Sequence, residues 1–158
     1  MDSSSYRRIV LLSIYPGYAQ MILQGSKKVE FRKTRFGQQP SHVVIYATAP
    51  VQKVIGFFEV EQVDEATPEE LWVRHECKAG LTEEQFWDYY GSAGVGVAIS
   101  VRRVFSLRKP LQLSRLGAVS RPPQSFCYLP TNTFARIKAF SVNSKKCGNG
   151  TSIQKATT

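Results

Sequence analysis

The chain has 158 residues, the length of one domain, and needs no disulfide or metal staple to bury a core. Hydrophobic side chains make up 42% and aromatics 11%, which excludes a wholly disordered chain. Its 21 basic and 12 acidic residues give a net charge of +9, and no apolar run approaches the roughly 18 residues of a membrane span.

Residues 8–14 read as a buried strand. Arg7 and Arg8 ahead of it superficially resemble a signal peptide, but Asp2 is acidic, the apolar stretch is short and no small-x-small cleavage site follows, so export is not expected. Pro16 stands where a helix would start, Tyr18, Ala19, Ile22 and Leu23 form its apolar stripe, and Gly25 stops it. Residues 27–33 alternate: Val29 and Phe31 point one way, Lys28, Glu30 and Arg32 the other. Residues 36–41, with Gly37 and Pro40, form a turn. Strands are expected over 42–48 and 53–63, the second bent or bulged at Gly56. Two helix starts follow, Thr67-Pro68-Glu69-Glu70 and Thr82-Glu83-Glu84-Gln85, each a hydroxyl with an acid or amide three residues on.

Residues 91–96 are a glycine-rich turn without the Gly-Lys-Ser/Thr of a phosphate loop. A strand over 97–107 ends in basic residues, and 111–116 suit a helical turn. Pro122-Pro123-Gln124-Ser125-Phe126 is extended and runs into a short strand near Tyr128. Residues 131–142 fit helix and strand equally. Residues 143–158 are polar and lysine-bearing and are expected to be a flexible basic tail beyond a domain of 1–142. Five or six strands with short inserted helices suggest an α+β fold, a small mixed barrel.

Charge is unevenly placed. Residues 1–56 carry +6, residues 57–88 carry −8 and residues 89–158 carry +11, with no acid after Asp88. Such separation can present one electropositive face to a polyanion such as nucleic acid. The acidic block falls on the two capped helices, where a solvated face is the simplest explanation. Cys77, Cys127 and Cys147 form no Cys-x-x-Cys pair, and His42 and His75 stand apart, so neither zinc nor any other cofactor is expected. Reduced thiols fit a cytoplasmic protein.

Chemistry concentrates in Gly25-Ser26-Lys27-Lys28-Val29-Glu30-Phe31-Arg32. Glu30 and Arg32, two apart on a strand, share a face and offer an acceptor beside a planar donor fork, suited to a base edge or a phosphate. An exposed strand with a same-face ion pair is the plainer reading of the same pattern. Tyr15, Tyr18, Phe31, Phe36, Tyr46, Phe126 and Tyr128 interleave with the cations and could stack bases or simply fill the core. Gln124 could read a base or satisfy a turn.

The ordered series Leu11-Leu12-Ser13-Ile14-Tyr15-Pro16-Gly17-Tyr18-Ala19, Gly25-x-Lys27-x-x-Glu30-x-Arg32, Val44 through Pro50, Ile55-Gly56, Thr67 through Trp72, Gly80-Leu81-Thr82, Phe86 through Tyr90 and Pro122 through Phe126 closely resembles the ASCH domain (activating-signal-cointegrator homology) over residues 9–129. The resemblance implies a PUA-like β-barrel with a cleft beside the first helix, an RNA-binding or nucleotide-handling module, and a predicted regulatory role in transcription or translation. The ligand would be RNA or a nucleotide-like small molecule, held by Lys27, Glu30 and Arg32 with Tyr46 and Gln124 lining the pocket. No membrane partner is expected. The alternative is an enzyme. Some small ASCH proteins deacetylate acetylcytidine with a lysine, a threonine three residues later and a glutamate. Lys27 matches the lysine, Glu30 replaces the threonine, and Glu76 is the nearest third residue. Glu30 has no hydroxyl for an acyl-enzyme and would have to act as a base, whether on an acylated cytidine or on RNA. A further alternative is a protein-interaction module built on the acidic helices.

Overall fold

A computed structural model describes residues 8–146. The chain opens with β1 (Ile9–Ile14), whose backbone turns at Tyr15 into α1 (Pro16–Gln24). Pro16 occupies the first turn of that helix, where its missing N–H costs nothing, and Gly25 closes it at φ +87°. There follow β2 (Val29–Arg32), β3 (His42–Ala47) and the long β4 (Lys53–Ala66). Next come α2 (Pro68–His75), a 3₁₀ turn (Glu76–Lys78) and α3 (Glu83–Tyr90). The long β5 (Gly96–Leu111), a second 3₁₀ turn (Leu113–Arg115), β6 (Phe126–Leu129), α4 (Thr131–Lys138) and β7 (Ser141–Lys146) complete the described residues.

The strands form one seven-stranded mixed sheet in the order β2-β5-β4-β3-β1-β6, with β7 pairing β5 beyond the end of β2. Among the described residues only β1 and β3 run parallel; every other pairing is antiparallel. The sheet is not closed into the expected barrel: among the described residues β6 pairs only β1, and no strand joins it to β2 or β7. The α+β character stands, with one strand more than the expected five or six. Residues 131–142, ambiguous in sequence, divide between α4 and the start of β7. β7 carries the backbone to Lys146, into the stretch expected to be a flexible tail from 143; residues 147–158 lie outside the described residues.

Alternation along β1 explains how the sheet is covered. Val10, Leu12 and Ile14 face one cluster with Ala19 and Ile22 of α1, whereas Ile9 and Leu11 face a second with Phe134 and Ile137 of α4. A third cluster packs Val29 and Phe31 of β2 against Leu71, Phe86 and Tyr90 of α2 and α3. Gly56 is required where α1 crosses the sheet. A Cβ there would lie 2.5 Å from the Phe105 carbonyl oxygen and 2.7 Å from Leu23 Cδ2. The β4–β5 register shifts at the same place, between Val54 and Gly56.

Candidate functional site

A cleft of about 760 Å³ opens beyond the C-terminal ends of β1 and β3. Four separate stretches of chain line it: Ser13 to Tyr18 at the β1–α1 turn, Lys27 to Thr34 around β2, Leu81 to Tyr89 of α3 and its approach, and Gln124 and Ser125. Thr48, just past β3, completes the wall.

Its floor is a charged trio in which Lys27 and Glu30 are buried and Arg32 is partly buried. Lys27 follows the Gly25 stop of α1, and its side chain is 1% exposed. The amine donates a hydrogen bond to the Ala79 carbonyl and lies 5.2 Å from the centre of the Tyr18 ring. Gly80, at φ +66°, lets the chain cross the lysine stem: a Cβ there would lie 2.7 Å from Lys27 Cβ. Glu30 sits on β2 with its carboxylate between two cations. Its Oε2 is 3.9 Å from Lys27 Nζ and its Oε1 is 3.6 Å from Arg32 Nη1. Arg32 ties β2 to two distant segments. Nη1 donates to the Ser13 carbonyl at 3.1 Å, and Nη2 donates to the Ser125 carbonyl at 3.1 Å. Burial pushes the Lys27 amine below the ordinary lysine value, and Glu30 pulls it back only in part. Burial likewise pushes the Glu30 carboxyl above the ordinary range, against the pull of Lys27 and Arg32.

Aromatic side chains form the rim. Tyr15 is exposed, with its ring 6.4 Å from that of Tyr18, and Tyr89 faces them from α3. Lys33 Nζ lies 4.9 Å from the centre of the Tyr89 ring. Tyr90, the next residue, turns inward and donates its hydroxyl to the Arg32 carbonyl at 2.9 Å, fixing α3 to the end of β2.

Of the residues singled out in sequence, Lys27, Glu30, Arg32 and Gln124 all line this cleft, with Tyr15, Tyr18 and Phe31. Tyr46 does not: it is 4% exposed in the cluster beneath α4, because it shares parity on β3 with Val44. Glu76 is exposed on the 3₁₀ turn and outside the lining. Phe36 and Phe126 pair edge to face at 4.7 Å in the α1 cluster, and Tyr128 bonds the Gln38 backbone. Sequence reasoning missed Gln85, Asp88 and Tyr89. They stand some sixty residues from Lys27, within a helix whose acids suggested only a solvated face.

Elsewhere, Asp64 on β4 accepts from both Arg74, at 3.0 Å, and His75 Nε2, at 2.9 Å. Partial burial works against its charge, but hydrogen bonds from His75 and Arg74 outweigh it and hold the carboxyl below the usual range. Among the described residues no three His, Cys, Asp or Glu side chains gather as metal ligands, and Cys77 and Cys127 are free thiols. Among the described residues no helix is long and apolar enough to cross a membrane.

Comparison with known proteins bears on this arrangement. The model of the ASCH domain matches residues 12–101. An ASCH domain-containing ribonuclease of Zymomonas mobilis is 33% identical over 127 residues, covering 78% of this chain and 85% of that protein. Large ribosomal subunit protein uL22 of Ureaplasma parvum is 26% identical over 121 residues, of which this chain spans only 39% of the relative's length. The crystal structure of ASCH from Zymomonas mobilis superposes with a TM-score of 0.76 at 31% identity, over 85% of this chain and 96% of that one. Fold, family model and relatives agree, and the chain belongs to the ASCH domain family.

Proposed function

We propose that this chain binds RNA in the cleft, holding one nucleotide of a single-stranded segment over Lys27, Glu30 and Arg32. The observation that carries the reading is a buried carboxylate between a buried lysine and a partly buried arginine, on the floor of an open cleft with a tyrosine rim. Charged groups on the floor can meet the polar edge of a base, and the tyrosine rings can stack its faces. Double-stranded RNA hides those edges, so an unpaired segment is the form that fits.

The name of the Zymomonas mobilis relative favours a second reading, cleavage of the bound RNA. The lowered Lys27 amine suits a base that takes the proton from a ribose 2′-hydroxyl. The 2′-oxygen would then attack the adjacent phosphorus, and the bond to the 5′-oxygen would break. Glu30, raised toward its protonated form, would supply a proton to that leaving oxygen. The products are a 2′,3′-cyclic phosphate and a 5′-hydroxyl.

Fluorescence anisotropy with a labelled single-stranded RNA tests the first reading. Lys27→Met and Arg32→Gln should each weaken binding by about tenfold or more. Equal affinity across wild type and both folded variants would overturn it. Incubating the same RNA and resolving the products decides the second: binding without turnover leaves a binding module, and with it a regulatory role.

A further inference from the structure

We propose that the nucleotide held in the cleft carries guanine, with its Watson–Crick edge on the Glu30 carboxylate. This rests on the reading of the cleft as an RNA site and adds which base it takes. The Glu30 side chain is 8% exposed and lines the cleft. Among the described residues, no donor makes a close hydrogen bond to either carboxylate oxygen, and Arg32 supplies only a long one. The flanking cations are Arg32 Nη1, 3.6 Å from Oε1, and Lys27 Nζ, 3.9 Å from Oε2. Both cations direct hydrogen bonds elsewhere, Lys27 to Ala79 and Arg32 to Ser13 and Ser125. Both oxygens therefore keep acceptor capacity for whatever enters the cleft, and a largely desolvated carboxylate gains from donors there.

The four bases differ in the donors they bring. Guanine carries N1–H and the N2 amine side by side, spaced as the two oxygens of a carboxylate are, so both oxygens are satisfied at once. Adenine and cytosine each pair one amine with a ring-nitrogen acceptor, which would face the second oxygen lone pair to lone pair. Uracil brings one N–H between two carbonyls, with the same conflict. Guanine also places O6 beside its N1–H, and here a cation flanks the carboxylate on each side. In either orientation O6 meets Lys27 or Arg32.

The test uses the full chain and single-stranded heptamers of adenosine with the central position varied among guanine, hypoxanthine, adenine, cytosine and uracil. Hypoxanthine keeps O6 and N1–H but lacks the N2 amine, so it isolates the second donor. Guanine should bind about tenfold tighter than hypoxanthine and than the other three bases. Glu30→Gln, with one acceptor and one donor, should erase the preference. Equal binding of all five heptamers, tighter binding of another base, or a guanine preference that survives in Glu30→Gln overturns the inference while the RNA reading stands. Failure of every heptamer and of a mixed-sequence RNA to bind overturns both. If Glu30→Gln does not fold, the guanine to hypoxanthine ratio on the wild-type chain decides alone.

Discussion

Removing either member of a buried ion pair strands the other, and Lys27 and Glu30 show what that means for the cleft. Lys27→Met keeps the stem volume but leaves the Ala79 carbonyl without its donor and Glu30 with Arg32 as its one flanking cation. The variant should lose about 3 kcal/mol in urea unfolding at neutral pH. Glu30→Gln should cost less, because the Lys27 amine keeps its hydrogen bond to the Ala79 carbonyl. The double variant should lose about 1 kcal/mol less than the two single losses combined, which a double-mutant cycle reads directly. Asp64 is a separate case. Its carboxyl is held below the usual range, so its contribution is present above the unfolded value and lost as pH falls through the folded one. Thermal melts should show wild type more stable than Asp64→Asn at neutral pH, with the gap closing below about pH 4. That Glu30 and Arg32 stand together was legible because strand alternation sets them on one face, and both line the cleft. Tyr46 was expected in the pocket and lies in the core instead, because both faces of β3 are buried and periodicity cannot say which one borders a cleft.

Two capping boxes set α2 and α3, and their sequence signatures were plain. Thr67 accepts from the Glu70 backbone N–H, and Thr82 accepts from that of Gln85, with each partner's side chain reaching back. Thr67→Ala and Thr82→Ala should each cost about 1 kcal/mol, read from denaturant midpoints. The two differ in function. α3 carries Asp88 and Tyr89 into the cleft, whereas no residue of α2 lines it. Thr82→Ala should therefore weaken RNA binding about twofold or more beyond any effect of Thr67→Ala, by anisotropy at a temperature where both variants are folded. Elements with local signals, α1 with its proline start and glycine stop among them, could be read from the chain. The cleft could not. It forms only when α3 is drawn onto β2, through Tyr90 bonding the Arg32 carbonyl across fifty-eight positions.

At the scale of the molecule, the same limit explains the open sheet. Strand order depends on pairings between distant segments, and β5 is long enough to pair β4 along its length while hosting β2 and β7 in succession. No local pattern announces that sharing. Charge, by contrast, was visible in blocks, but its placement divides the work. The cleft holds the buried Lys27, the partly buried Arg32 and the exposed Lys33, with Glu30 and Asp88 opposing them. A second concavity, of about 510 Å³, lies by the start of β3 and is lined by His42, Glu59, Arg102 and Lys138. Ser41 and His42 are there at one end of β3, whereas Thr48 borders the cleft at the other. A trinucleotide seated in the cleft should therefore release counterions at Lys33 and not at Arg102. Its affinity should fall as salt rises, and Lys33→Ala should flatten the log-log slope by about 0.7, the value for one phosphate contact to a single strand. Arg102→Ala should leave the slope unchanged. A slope that responds to Arg102 and not to Lys33 would place the RNA on the far end of the sheet and remove the cleft from its path.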